Sequence, residues 1–205
     1  TRTTLIAAQR GPAAWSLDLR SADGRCETVQ ARVLVNATGP WVGTLLGDVL
    51  GLGAAHAVRL VKGSHIVVKR LFDHPDAYLF QNPDRRIIFA IPFEGRFTLI
   101  GTTDVDYSGD PARAAITAQE IAYLCRMASR YFSRALTPAE VVWSYAGVRP
   151  LLDDAAGDAA SVTRDYTLEL DTEAAPVLSV FGGKLATYRK LAEQAVARIQ
   201  PLLGN

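Results

Sequence analysis

The residues best suited to chemistry lie in Ser179–Leu191, where a short apolar strand is predicted to end in Gly182-Gly183. A helix is predicted to follow at once, with Lys184 in its first turn. A helix start leaves backbone N–H groups without partners and carries the positive end of the helix dipole. The lysine adds a cation beside this exposed glycine backbone. The pattern favours a site for negative charge on a ligand, whether a phosphate, a carboxylate or the electron-rich edge of a reduced flavin. Taken alone, it is equally typical of an ordinary tight turn.

Four further segments carry distinctive residues, namely 32–41, 62–66, 142–151 and 162–166. In residue content and order, these segments together with Ser179–Leu191 resemble the FAD-dependent, quinone-linked sn-glycerol-3-phosphate dehydrogenases. That family belongs to the D-amino-acid-oxidase-like flavoprotein superfamily. The resemblance extends from about Arg32 to Leu191, which is most of the chain.

The resemblance implies a fold, an activity and a location. The fold is α/β (α+β), in which part of an FAD/NAD(P)-binding Rossmann-like domain receives an inserted antiparallel-sheet substrate (cap) domain. The implied reaction is oxidation of sn-glycerol 3-phosphate to dihydroxyacetone phosphate, with FAD as cofactor and membrane quinone as electron acceptor. The implied location is cytoplasmic, with peripheral association to the inner face of the cytoplasmic membrane, and a homodimer is left open.

Two arginines are the best candidates for binding a phosphate. Arg149 ends the predicted strand at 142–151, and Arg164 lies 15 residues later. Guanidinium groups match phosphate oxygens bidentately, whereas a lysine offers only a point charge. Both positions coincide with arginines that the family directs at its substrate. The alternative is a pair of surface salt bridges, Arg149–Asp153 and Arg164–Asp165, which would contribute little.

His65, at the start of a predicted strand, is the candidate base. Oxidation of a secondary alcohol requires removal of the hydroxyl proton as hydride leaves the carbon, and a histidine that titrates near neutrality suits this role. The alternative is a histidine held by a core hydrogen bond. His56 and His74 have no supporting motif and are expected on the solvated surface, and no spacing of histidine, cysteine and aspartate predicts a metal site.

The resemblance also implies contacts with the flavin. Lys184 would stabilise the anionic edge of the reduced flavin or contact the oxygens of the substrate. The family commonly has a threonine where this chain has Ala186, which leaves Thr187 as the expected side-chain contact. The other expected contacts are made by the backbone, at Thr38, Gly39, Gly182, Gly183 and Leu185.

One family feature is missing from the sequence. The family opens with a strand, a G-x-G-x-x-G turn and a helix that hold the FAD pyrophosphate. The nearest approach, Gly51–His56, lacks the third glycine and follows a predicted helix. The sequence also stops where the family continues into a helical domain. We therefore expect the middle portion of a larger enzyme, inactive by itself.

Composition excludes several classes of protein. The 205 residues carry a net charge of +1 without a basic stripe, which argues against nucleic acid as a partner. The two cysteines share no motif spacing and predict a reduced, cytoplasmic setting. No apolar run reaches the ~20 residues that a membrane span requires. A hydrophobic content of 49% is sufficient for a sizeable core.

Three segments are predicted along the chain: a flavin-domain segment at 1–57, an antiparallel substrate or cap domain at 58–145 and a returning flavin-domain segment at 146–205. The first contains a β-ribbon at 3–30, a strand at 32–36 covered on both faces and a helix at 41–50. The second contains a meander between 58 and 101 and a helix opened by the capping box Thr117–Glu120. The third ends in an amphipathic helix at 185–203.

Two alternatives to a quinone-linked dehydrogenase remain open from the sequence. The first is another flavoenzyme of the superfamily, either a glycerol-3-phosphate oxidase that uses O2 or an oxidase of hydroxy acids or amino acids. Such an oxidase of acids would also need an arginine, but for a carboxylate, and two arginines favour phosphate. The second is a non-catalytic ligand-binding module.

Overall fold

The computed structural model describes residues 1–53, 56–153 and 165–204. Its strands, in chain order, are β1 (Thr3–Arg10), β2 (Trp15–Ser21), β3 (Cys26–Ala31), β4 (Leu34–Asn36), β5 (Val58–Lys69), β6 (Tyr78–Gln81), β7 (Ile87–Phe93), β8 (Phe97–Gly101), β9 (Val105–Asp106), β10 (Val141–Leu152), β11 (Tyr166–Asp171) and β12 (Val177–Gly182). Its α-helices are α1 (Val42–Thr44), α2 (Ala118–Ala128) and α3 (Tyr188–Leu203). A π-helical turn at Leu45–Val49 continues α1, and short 3-10 turns lie at Gly39–Trp41, Pro111–Arg113, Pro138–Glu140 and Leu185–Thr187.

The chain divides into two units. Within the described chain, the first unit contains residues 1–59, 150–153 and 165–204, and the second contains residues 60–149. The assignment of a flavin-binding role to 1–57 and 146–205, and of a substrate-binding role to 58–145, stays a prediction.

The first unit contains two small sheets. Strands β1, β2 and β3 form an antiparallel sheet, with the predicted Asp23-Gly24 turn between β2 and β3. In the second sheet, β12 pairs antiparallel with β11 and parallel with β4. The fully buried Trp15 packs in the core of this unit and donates a hydrogen bond from Nε1 to the carbonyl oxygen of Pro176 (2.8 Å).

The strand predicted at 32–36 differs from expectation. Only Leu34–Asn36 is extended, and Val35 is 42% exposed, so the prediction of a strand covered on both faces was wrong. The reason is its position: in the described part of the chain β4 is the outer strand of its sheet, paired with β12 on one side. The helix predicted at 41–50 begins two residues earlier, at Gly39, as a 3-10 turn with Pro40 in its first positions.

The second unit is built on one larger sheet with the order β10-β5-β8-β7-β6, and β9 pairs with the start of β5. The meander predicted between 58 and 101 is right for β6, β7 and β8 but wrong for β5, which pairs with β8 and not with β6, its neighbour in the sequence. Helix α2 covers one face of the sheet, where Ile66, Ile100 and Leu124 are fully buried. Because side chains alternate along a strand, the neighbours of these residues project from the opposite face.

Helix α2 begins as the sequence predicts. The Thr117 hydroxyl accepts a hydrogen bond from the backbone N–H of Glu120, and the Glu120 carboxylate accepts from the backbone N–H of Thr117. A second capping box, Thr137 with Glu140, opens only the 3-10 turn at Pro138–Glu140. Among the described residues, no helix is both long and apolar enough to cross a bilayer.

Candidate active site

His65 and Arg149 share the face of the larger sheet opposite α2. His65 lies on β5 and pairs with Gly101 on β8, while Arg149 near the end of β10 lies over Gly63 of β5. The two glycines make room for these side chains. A Cβ atom at Gly101 would collide with the His65 ring, and a Cβ atom at Gly63 would collide with the Arg149 guanidinium. The sheet therefore carries an imidazole and a guanidinium next to each other, and each packs against a glycine.

Arg149 is held by two side chains that follow β8. Its Nη1 donates to the Asp104 carboxylate (2.6 Å) and its Nη2 donates to the Thr102 hydroxyl (3.1 Å). The Arg149 side chain remains 32% exposed, whereas that of Asp104 is only 11% exposed. The alternative pairing with Asp153 is thus replaced by a pairing with Asp104. This arrangement fixes the guanidinium and leaves part of it accessible to a ligand.

His65 lies in the middle of β5 rather than at the start of a strand. Its ring stacks on that of Tyr145, with centroids 4.7 Å apart and planes 5° from parallel. Its Nδ1 is buried and has no hydrogen-bond partner among the described residues, so the alternative of a core hydrogen bond at this nitrogen fails. Burial, with the charge of Arg149 as a second cause, lowers the pKa of His65 to about 4.

This pKa corrects the expectation of a histidine that titrates near neutrality. Desolvation and a neighbouring cation both disfavour the charged imidazolium, and neither is visible in the sequence around His65. At pH 7 the imidazole is neutral and keeps a lone pair. It can therefore accept a hydrogen bond from a substrate hydroxyl without first losing a proton of its own, but a pKa of about 4 makes it a weaker base than a histidine that titrates near neutrality.

The Gly182-Gly183 turn of the first unit has the backbone that the sequence predicts. Both residues have positive φ (72° and 103°), and a Cβ atom at Gly182 would lie 2.5 Å from the Asp165 carbonyl oxygen. The position of Lys184 differs from the prediction: it is an extended residue just before the 3-10 turn at Leu185–Thr187, and α3 starts only at Tyr188. Positive φ at two successive residues redirects the chain, so the helix cannot start until the turn is complete.

This helix start fits a flavin edge. Leu185 is 90% exposed and Lys184 is also exposed, so an apolar surface and a cation lie beside the first N–H groups of the helix. The Thr187 hydroxyl donates to the carbonyl oxygen of Lys184 (3.0 Å). Its proton is therefore already bonded within the turn. Such an arrangement suits an aromatic ring with an electron-rich edge. Contact of Lys184, Leu185 and Thr187 with FAD stays a prediction.

The Thr38-Gly39 turn is organised by a buried asparagine. Asn36 is fully buried, donates from Nδ2 to the Val42 carbonyl oxygen (3.0 Å) and accepts from the Thr38 hydroxyl (2.7 Å). Gly39 has φ of 59° and opens the following 3-10 turn. The Thr38 backbone N–H also donates to Asn36 Oδ1 (3.4 Å), and the Thr38 carbonyl oxygen accepts from the backbone N–H of Trp41 (3.3 Å), so these groups are bonded within the turn. Contact of Thr38 and Gly39 with the cofactor stays a prediction.

Arg164 lies outside the described residues, so its place relative to Arg149 stays a prediction. Three other residues had no assigned role in the sequence: Asp104, Thr102 and Tyr145. The one available signal was Thr102-Thr103-Asp104 directly after a strand, a segment that matches the family pattern. Nothing in the sequence linked it to Arg149, which is 45 residues away from Asp104.

Residues 1–189 match the family described as FAD dependent oxidoreductase, and the chain belongs to that family. Among curated proteins, it is 48% identical over 207 residues to a glycerol-3-phosphate dehydrogenase of Pseudomonas aeruginosa and 47% identical over 204 residues to the aerobic glycerol-3-phosphate dehydrogenase of Escherichia coli. These alignments cover 100% and 98% of this chain, and 40% and 41% of the relatives. The chain thus spans about 40% of the length of the curated relatives that it matches.

Solved structures agree with this assignment. The fold is similar to a glycerol-3-phosphate dehydrogenase from Bacillus halodurans complexed with FAD, with a TM-score of 0.83 and 32% identity over 99% of this chain and 39% of that chain. It also shares its fold with an L-alpha-glycerophosphate oxidase from Mycoplasma pneumoniae, at a TM-score of 0.68 and 16% identity over 99% of this chain and 50% of that chain. Membership of the FAD-dependent oxidoreductases, the mixed α/β fold class and the cofactor FAD are confirmed.

Proposed function

We propose that the protein containing this chain oxidises sn-glycerol 3-phosphate to dihydroxyacetone phosphate with FAD. The observation that carries the proposal is the placement of Arg149 beside a neutral His65 on one sheet face. An anion-binding cation next to a hydrogen-bond acceptor suits a substrate that carries both a phosphate and a hydroxyl. The glycerol-3-phosphate dehydrogenases of Pseudomonas aeruginosa and Escherichia coli, 48% and 47% identical to the chain, support this choice of substrate.

In the proposed mechanism each residue has a separate task. Arg149, oriented by Asp104, binds phosphate oxygens, and Arg164 supplies a second cation. His65 accepts the proton of the substrate C2 hydroxyl as the C2 hydrogen leaves as hydride, so that the substrate loses one proton and one hydride, which carries both electrons. FAD, when bound, supplies the acceptor for the hydride. Lys184 and the N–H groups that follow Gly182-Gly183 stabilise negative charge at the cofactor edge.

The electron acceptor that we propose is membrane quinone, reached by a cytoplasmic protein that associates peripherally with the inner face of the cytoplasmic membrane. The relatives at 45–48% identity are called dehydrogenases, whereas the oxidase shares the fold at 16% identity. Turnover with a soluble quinone under anaerobic conditions tests this acceptor. Oxygen consumption as fast as quinone reduction would instead indicate an oxidase. Light scattering, which measures the mass of the complete protein in solution, distinguishes a monomer from a homodimer.

A second substrate has specific support. The chain is 45% identical over 210 residues to the D-erythritol 1-phosphate dehydrogenase of Brucella abortus, an alignment that covers the whole chain and 42% of that relative. Both substrates named by these relatives are phosphate esters of polyols. The common requirement of such substrates is a cation for the phosphate and an acceptor for a hydroxyl proton, which Arg149 and His65 would provide.

Anaerobic bleaching of the flavin absorbance tests the proposal. The complete flavoprotein that contains this chain is mixed with sn-glycerol 3-phosphate, D-erythritol 1-phosphate or unphosphorylated glycerol, and in parallel samples with 2-hydroxy acids and amino acids. We expect rapid bleaching with glycerol 3-phosphate, slower bleaching with the erythritol ester and none with glycerol. Faster bleaching with D-erythritol 1-phosphate than with glycerol 3-phosphate would identify the erythritol ester as the preferred substrate. Bleaching by 2-hydroxy acids or amino acids alone would contradict the proposal.

A further inference from the structure

A buried carboxylate lies behind the sheet, on the face opposite His65 and Arg149. Glu120, in the first turn of α2, is only 7% exposed. Its Oε2 accepts the capping bonds from Thr117, as expected for a helix start. Its Oε1 does something that capping does not require: it accepts hydrogen bonds from the Ser64 hydroxyl (2.8 Å) and the Thr103 hydroxyl (2.9 Å).

The two hydroxyl groups belong to the backbone segments that carry the site. Ser64 precedes His65 on β5, and the two side chains project from opposite faces of the sheet. Thr103 lies between Thr102 and Asp104, the two residues that hold Arg149. The Ser64 backbone N–H also donates to the Thr103 hydroxyl oxygen (3.0 Å). One carboxylate oxygen thus ties together the segment that carries the imidazole and the segment that orients the guanidinium.

The carboxylate is ionised and firmly held. Burial opposes its ionisation, yet the hydrogen bonds from Lys62, Thr117 and Ser64 outweigh burial and lower the pKa of Glu120 to about 2. Lys62 Nζ lies 2.8 Å from Oε2 and also donates to the Ala115 carbonyl oxygen (3.0 Å). Both side chains of this ion pair are at least nine-tenths buried. A buried, fully bonded network of this kind is stiff and specifies one arrangement of its members.

We propose that Glu120 is a positioning residue, which keeps His65 and Arg149 in register for the substrate by anchoring Ser64 and Thr103 from the back of the sheet. The proposal rests on the proposed function, since it assigns the two residues a common substrate. Glu120 contacts neither of them directly. Glu120 acts through the backbone segments next to His65 and Arg149. Its removal should therefore displace the imidazole and the guanidinium together, by less than the length of a hydrogen bond.

The test compares two versions of the complete flavoprotein that differ at one position. Both carry Lys62→Met, so that no unpaired cation remains when the carboxylate is removed. One version adds Glu120→Gln, whose amide oxygen still accepts hydrogen bonds from Ser64 and Thr103. The other adds Glu120→Met, which has a similar length but accepts neither bond. We expect kcat/KM for the phosphate ester to be roughly 100-fold lower in the Met version, because small displacements of reacting groups have effects of that size.

A second readout does not depend on turnover. In the Met version the imidazole should loosen from its buried position beside Arg149 and Tyr145, so that the pKa of His65, followed by NMR with His65→Gln for assignment, rises towards 6.5. Equal kcat/KM and an equal His65 pKa in the two folded versions would overturn the proposal. If the unaltered protein oxidises no polyol phosphate, the proposed function fails, whereas the NMR comparison still decides the role of Glu120.

A further pair of variants applies if the Met version fails to retain FAD. Thr103→Val removes one of the anchored hydroxyl groups and Thr103→Ser keeps it. Because Thr103 lies between the two partners of Arg149, we expect Thr103→Val to raise KM for the phosphate ester roughly tenfold or more while kcat changes less, and Thr103→Ser to restore KM. The same KM in both variants would overturn the proposal.

Discussion

The Arg149 guanidinium lies 2.6 Å from the Asp104 carboxylate, although the two residues are 45 positions apart in the sequence. The carboxylate is nearly buried, so it stays beside the arginine when a ligand binds to the exposed part of the guanidinium. The pair as a whole carries no net charge. Arg149 can therefore orient a phosphate by directed hydrogen bonds, whereas neutralising the phosphate requires a further cation, the role that we propose for Arg164.

Substitution of Arg149 by lysine should weaken phosphate recognition specifically. Lysine cannot donate to Asp104 and to a phosphate with the fixed geometry of the fork, and loss of a charge-assisted hydrogen bond costs about 1.5–3 kcal/mol. We expect kcat/KM for glycerol 3-phosphate to fall roughly 10- to 100-fold, measured by steady-state turnover. Arg113→Lys, at a side chain that is 87% exposed, is the matched control. An equal effect of both substitutions would contradict phosphate binding by Arg149.

His65→Gln should lower kcat by roughly 10²- to 10⁴-fold, the usual contribution of a general base. Since the pKa of His65 is about 4, the kcat/KM profile of the unaltered protein should show no loss of activity attributable to this residue between pH 5 and 8. An acid limb near pH 6.5 that disappears in His65→Gln would contradict this assignment.

The free energy of unfolding should depend on pH through the protonation of His65. The folded pKa of about 4 lies below the ordinary value of 6.5, so between these values the unfolded chain binds a proton that the folded chain does not. The contribution of neutral His65 is therefore complete above pH 6.5 and is lost as the pH falls to about 4. Denaturant unfolding at pH 7 and pH 4.5 should show a smaller pH-dependent loss in His65→Gln than in the unaltered protein, with His74→Gln as the control.

Gly101→Ala and Gly63→Ala should impair the site in different ways. A methyl group at Gly101 would displace the His65 ring and reduce kcat, whereas one at Gly63 would displace Arg149 and raise KM, each by roughly 10- to 100-fold. Gly47→Ala is the control, because its added Cβ meets no atom of the described residues within 4 Å beyond the backbone of its own turn, the π-helical turn of the first unit. Steady-state kinetics on the three variants checks the prediction. It fails if Gly47→Ala impairs turnover as much as the other two.

Lys184→Ala should lower the two-electron reduction potential of the bound flavin. Removal of a cation beside the cofactor edge disfavours the more negatively charged reduced form, and a loss of about 1.4 kcal/mol corresponds to about 30 mV. Equilibration with a reference dye measures the potential. Lys190→Ala, at an exposed position on α3, is the control. An unchanged potential in Lys184→Ala would remove this residue from the flavin site.

Local patterns in the sequence were sufficient to predict some of the structural elements. The capping box of α2 and the Asp23-Gly24 turn are formed by residues within a few positions of each other, and both were predicted correctly. The Gly182-Gly183 turn was predicted for the same reason. The start of the following helix was not, because two positive φ values delay it by several residues.

The site depends on long-range pairing and was only partly predictable. The low pKa of His65 arises from burial and from Arg149, which reaches it because β10 lies beside β5 in the sheet. The roles of Asp104 and Glu120 likewise follow from segments that meet only after folding. Glu120 could be identified from sequence as a capping residue, but its bonds to Ser64 and Thr103 join positions 56 and 17 residues away.

The buried Trp15 is an intrinsic fluorescence probe of the first unit. Its ring is fully shielded, while Trp143 of the second unit is 55% exposed and lies 5.3 Å from the ring of Tyr145. Fluorescence from Trp15 should shift to longer wavelength when the first unit unfolds and water reaches its indole. Trp143 sits next to the aromatic stack on His65, so its emission should respond to occupancy of that sheet face. Once the emission of Trp41, the exposed tryptophan of the first unit, is removed by Trp41→Phe, Trp15 should report melting of the first unit and Trp143 a ligand on the His65 face of the second.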